Sequence, residues 1–168
     1  GFNDGIWAIN LDGNAETFLT SGARPRVSRD GHWMAFLRDG GPVTGQGNLW
    51  VRELPTGQES LHFTNTDTIT AGDWNGTQTE VIFDHNCVLL RKPFIGAATT
   101  LPLALTPQCL NGAPVVNPVD GRLAFHNLSA NAPGVYVAPA NWSGRTKITE
   151  PATLRLRWPA WSPDGTRL

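Results

Sequence analysis

Two adjacent pairs, Asp84-His85 and His126-Asn127, hold the side chains best suited to chemistry. Imidazole and carboxylate suit zinc-type ions, so His85, His126 and Asp84 are the one set that could share a metal. The competing reading is that all three are solvated turn residues, because each pair closes a short apolar segment. His32 and His62 stand at unrelated positions. The chain contains no Gly-x-Ser-x-Gly elbow, His-Glu-x-x-His helix, phosphate loop or Gly-x-Gly-x-x-Gly fingerprint. We therefore expect no catalytic residue, no metal, and no nucleotide, flavin or haem cofactor.

The elements that carry these pairs follow from a repeat. Its fullest copy is Pro159-Ala160-Trp161-Ser162-Pro163-Asp164-Gly165, with weaker copies beginning at Pro25, Gly72 and Pro114. Successive copies start 47, 42 and 45 residues apart, a period typical of propeller blades. In each, an apolar segment runs into Ser or Asn, then a turn, then a second apolar segment, which is the pattern of a β-hairpin. Asp30, Asp120 and Asp164 fall in turns of different repeats, so they cap turns rather than share a calcium ion.

Third strands recur at Ile6-Ile9, Leu49-Arg52, Val88-Arg91 and Val135-Ala138. Fourth strands end at Leu19-Thr20, Phe63-Thr64, Leu105-Thr106 and Ile148-Thr149. Four strands per repeat define one blade. The triplets at 81–83 and 88–90 lie seven residues apart and also fit an amphipathic helix, but the longer repeat assigns them to two strands joined by a turn at Asp84-His85-Asn86. The expected fold is an all-β propeller. Its blades span 23–67, 68–110 and 111–153, and a fourth is split between 1–22 and 154–168. Trp7 with Trp50, and Trp74 with Trp161, hold matching positions and should pack between blades. Trp142 and Trp158 match no other aromatic; core packing is the leading expectation for both, and exposure with a ligand-binding role is the alternative.

Composition narrows the partners. Only 16% of the 168 residues are charged, net charge is −1, and there are 18 Gly, 13 Pro and 7 Trp. Without a basic run there is no electrostatic footprint for nucleic acid or an anionic membrane, and no apolar stretch is long enough to span one. Cys87 opens the third strand of the second blade and Cys109 follows its fourth. Those ends are neighbours in an antiparallel pair, so we expect a disulfide. Its loop of about 20 residues would contribute roughly 3 kcal/mol in the chain-entropy model.

The Trp-Ser-Pro-Asp-Gly turn, the aromatic third strand and the terminal Leu-Thr together resemble the TolB-like propeller repeat over essentially the whole chain. The second copy departs furthest, with Gly72 in place of Pro and Thr77-Gln78 in place of Asp-Gly. The resemblance implies a periplasmic or secreted protein used for protein contacts, in some members as a propeller beside a separate hydrolase domain. The repeat residues are structural in that family and transfer no site.

In such a fold the loops from second to third strand, and from fourth strand to the next blade, gather on one face. Here they hold Arg24, Arg38, Asp39, Asp67, Asp84, His85, His126, Asn127 and Arg155. That mixed-charge rim suits a protein or peptide partner. The leading expectation is thus a non-catalytic interaction module. The alternative is the accessory propeller of a hydrolase, peptidase or lyase whose catalytic residues lie elsewhere. The complementary halves of the split blade also raise the possibility of a homodimer that shares it.

Overall fold

The computed structural model describes residues 4–39, 47–64, 69–75, 77, 79–85, 88–101, 111–128, 133–149 and 157–168. Within these, every regular element is a β-strand. The chain divides into two compact units, Gly1–Ile69 and Thr70–Leu168.

In the first unit, β1 (Gly5–Ile9) and β2 (Glu16–Ser21) form a two-stranded antiparallel sheet. β3 (Ala23–Val27), β4 (Trp33–Asp39), β5 (Gly47–Glu53) and β6 (Glu59–Phe63) form a four-stranded sheet in sequence order. Ile6 packs with Met34 and Phe36, and Leu19 and Trp50 border the same cluster. Trp7 departs from its expected place between blades: it is 56% exposed, with its ring edge-on to Phe18 at 5.1 Å.

The second unit holds two four-stranded sheets. One comprises β7 (Ile69–Trp74), β8 (Glu80–His85), β9 (Val88–Pro93) and β10 (Thr99–Thr100). The other comprises β11 (Asn111–Val116), β12 (Leu123–Asn127), β13 (Gly134–Ala138) and β14 (Thr146–Lys147). β8 and β9 pair antiparallel, Phe83 opposite Leu90, which excludes the helix. Val81, Ile82, Phe83, Leu123, Ala124 and Phe125 are all fully buried, as expected of inner strands covered on both faces. Phe125 stacks on Tyr136 at 5.8 Å in the same core.

Thr99 and Thr100 pair with Arg91 and Leu90 of β9, and the expected strand end at Leu105-Thr106 lies outside the described residues. Two sequence expectations need correction. Asp84 and His85 are strand residues of β8, paired with Leu89 and Val88, rather than a turn. His126 and Asn127 likewise belong to β12, where ladder pairing with β13 continues to Asn127 opposite Gly134. Cys87 and Cys109 lie outside the described residues, so the disulfide stands as an expectation. Non-reducing mass spectrometry should find the pair oxidised, and two free thiols would refute it.

The turns follow the repeat. Ser28 Oγ donates to Asp30 Oδ1 at 2.6 Å, and the Gly31 N–H, at φ 72°, donates to Ser28 O at 2.9 Å. Ser162, Asp164 and Gly165 repeat this with 2.6 Å, 2.8 Å and φ 69°. Asn117 fills the serine position in the third copy, its Oδ1 accepting from Val119 N–H at 2.9 Å. Its Nδ2 donates to Gly165 O at 2.9 Å, and Trp161 Nε1 donates to Val115 O at 3.2 Å. These two bonds fix the 157–168 segment, which contains no strand, against the β11–β12 hairpin.

Candidate partner-binding rim

Antiparallel order brings the start of each first strand beside the end of each second strand, at the end of the sheet away from the Ser/Asn turns. In the second unit Gly112 pairs with His126 and Asn111 with Asn127. β8 approaches the same place: a Cβ at Gly112 would lie 3.0 Å from Asp84 Oδ2 and 3.2 Å from His126 Nε2. Glycine here lets a carboxylate and an imidazole from different sheets converge on one stretch of backbone.

These groups are not solvated, contrary to the turn-residue reading. Asp84, His126 and Asn127 retain 5%, 8% and 0% of their accessible surface, while His85 is half-buried. Burial disfavours the charged ring, and the Arg157 guanidinium adds to this, so the His126 pKa falls from 6.5 to about 4. His126 is therefore a neutral imidazole at pH 7. Its Nδ1 has no hydrogen-bond partner among the described residues. Trp158 meets the ring edge-on at 6.0 Å and is itself 53% exposed. Of the two unmatched tryptophans, Trp142 belongs to the core and Trp158 to the surface.

In the first unit Arg24 is exposed at φ 55°. Arg38 is engaged within its own unit. Its Nε donates to Ser21 O at 2.7 Å, and its Nη2 donates to Thr20 Oγ1 and, at 2.8 Å, to Glu59 Oε2. The guanidinium carbon lies 4.9 Å from the ring centroids of both Phe36 and Trp50. Arg52 donates to the other Glu59 oxygen at 2.8 Å. Burial alone would raise the Glu59 pKa, but hydrogen bonds with Thr20, Arg38 and Arg52 outweigh it and hold the carboxyl below its ordinary value of 4.5. The stabilisation is therefore present above about pH 4.5 and is lost as pH falls through the folded pKa. Glu59→Gln should destabilise by about 1 kcal/mol at pH 7, with the difference in urea-melt midpoint shrinking as pH falls below 4.5. A constant difference across that range would refute the ion-pair account.

Asp39 ends β4, and Asp67 and Arg155 lie outside the described residues. No group of three or more His, Cys, Asp or Glu side chains able to hold a metal occurs among the described residues. Asp84 and His126 alone would leave such an ion two protein ligands. Sequence reasoning missed Gly112 and Arg157. Gly112 has no local signature, since its role comes from another sheet's approach.

No family model and no curated protein matches the chain. Solved structures do, and they place the fold among β-propellers. TolB from Acinetobacter baumannii matches with a TM-score of 0.75 and 21% identity, over 96% of this chain and 41% of that one. An oligogalacturonate lyase in complex with manganese matches at 0.62 and 16%, over 85% and 45%. The β-propeller domain of the Trilobed protease from Pyrococcus furiosus matches at 0.59 and 16%, over 87% and 49%. The neighbours thus include TolB-like propellers, and this chain spans less than half the length of each of these three. At such identities the likeness concerns the fold.

Proposed function

We propose that this chain is a TolB-like propeller segment acting as a non-catalytic interaction module, which binds a protein or peptide partner at the rim end of its sheets. The convergence of Asp84 and His126 at Gly112, beneath the half-exposed Trp158, carries this reading. Buried polar groups roofed by a surface aromatic form the kind of centre at which binding energy concentrates. Within the second unit the half-buried His85 ends β8 beside this centre, and within the first unit Arg24 is the exposed residue at the corresponding end of its own sheet. The working compartment is the periplasm or the cell exterior.

Affinity capture with the purified chain should recover a stoichiometric partner. Capture should fail with Arg24→Glu and His85→Ala, while Arg29→Ala, in a turn at the other end of its sheet, leaves it intact. Equal capture by all variants would remove the rim, and hydrolysis or lyase activity by this chain alone would overturn the non-catalytic reading. Likeness to the lyase and to the protease domain supports the second reading, an accessory propeller beside a catalytic domain. A homodimer that completes the divided blade is testable by light scattering. A dimer that dissociates on deletion of residues 1–20 supports sharing, and an 18.2 kDa monomer rules it out.

A further inference from the structure

Three residues adopt left-handed backbone at one position of the repeat: Arg24 at φ 55°, Ala113 at φ 48° and Trp158 at φ 58°. Each stands four residues ahead of the turn's Ser28, Asn117 or Ser162, and each precedes a proline. Left-handed φ is unfavourable for any residue with a Cβ, and a following proline restricts it further. At Arg24 in β3 and Ala113 in β11 the ladder register breaks at this point, between Ala23 and Arg26 and between Gly112 and Val115. One extra residue is accommodated, the signature of a β-bulge, and bulges re-aim a side chain at barrel rims and sites. Strain repeated at one place in independent copies marks a position that the fold holds for presentation.

Ala113 is buried, whereas Arg24 and Trp158 are exposed. Trp158 is the larger surface, with one ring edge against His126 and the exposed Arg157 next to it in sequence. The imidazole beneath is neutral at pH 7 and Asp84 is buried, so Arg157 supplies the outward charge of this patch among the described residues. We infer that Trp158, presented on its left-handed backbone with Arg157 beside it, is a specificity anchor that takes an apolar or aromatic side chain from an acidic peptide. The indole offers a rigid apolar face and the guanidinium pairs with a neighbouring carboxylate of the partner. The inference rests on the rim being the binding surface and adds which partner chemistry it reads.

The test is fluorescence polarisation of the full chain against two labelled peptide pools. One holds hexapeptides of Asp and Glu around a single Phe, and the other has Lys at every acidic position. The acidic pool should bind more tightly. Trp158→Ala and Trp158→Gly should each weaken it roughly 30-fold, the loss expected of a hot-spot aromatic. Trp158→Gly relieves the left-handed strain, so it should melt no lower than the parent, which separates lost binding from lost folding. Arg157→Glu should reverse the preference toward the basic pool. Equal binding of the two pools, or full affinity in Trp158→Gly, overturns the inference. If the acidic pool binds both Trp158 variants unchanged yet is lost with Arg24→Glu or His85→Ala, the anchor is wrong and the rim stands. If neither pool binds the parent chain, the anchor fails and the capture experiment alone decides the rim.

Discussion

Acidification from pH 7 to pH 4 should destabilise the folded chain by roughly 1–3 kcal/mol through His126 alone, allowing for partial solvent screening. The folded ring takes a proton only near pH 4, against 6.5 for a free histidine. Between those values the unfolded chain binds more protons than the folded one, so stability falls as pH falls. The full contribution is present above about pH 6.5 and its loss is complete below about pH 4. Urea melts at half-unit intervals should show His126→Gln with a flatter profile than the parent between these limits. The lowered carboxylates Glu53, Glu59, Asp30 and Asp164 lose their contributions only as pH falls below their ordinary values of 4.5 and 3.8, so the interval from pH 6.5 to 4.5 isolates the imidazole. Parallel profiles for parent and variant would mean that the ring titrates normally and is not desolvated at the rim.

Asn117→Ala should be the most damaging substitution of a polar side chain, costing about 2–4 kcal/mol. The side chain is wholly buried and does two jobs. Its Oδ1 receives the N–H groups of Val119 and Asp120 at 2.9 and 3.2 Å, and its Nδ2 donates to Gly165 O at 2.9 Å. Truncation leaves those groups without their partner in a closed environment. Because the bond to Gly165 helps hold the segment that carries Trp158, amide exchange across 160–168 should accelerate beyond what global destabilisation explains. Gly165→Ala should reproduce the effect from the other side, since its backbone sits at φ +69° and a Cβ would fall 2.5 Å from Asn117 Oδ1. An Asn117→Ala protein with parental stability would refute this link.

Most of the architecture was legible because its signals repeat. Ser28, Asn117 and Ser162 announce the hairpin turns locally, and the apolar triplets of β8 and β12 read as strands once the longer period outranked the seven-residue spacing. Strand ends were less legible. Asp84, His85, His126 and Asn127 are polar, and polarity next to an apolar run was read as a loop, whereas ladder pairing and neighbouring chain keep three of the four buried. Thr99–Thr100 carries no repeat signature, so its pairing with β9 was not legible in the sequence. Arg38 looked available to a partner by position, yet its engagement with Glu59 depends on β6, a non-local partner. Trp142 and Trp158 look alike in sequence, and only packing separates the core residue from the surface one.

The recurring left-handed residue ahead of a proline bears on how such a chain can diversify. The strain there belongs to the backbone and is borne by any residue with a Cβ, so at exposed Arg24 and Trp158 exchanging one side chain for another changes the energy of folding little. A saturation library at these two positions should therefore have a nearly flat stability profile, with glycine alone standing above it. Chemical identity at the rim would then be free to drift under selection for new ligands while the scaffold pays a fixed toll.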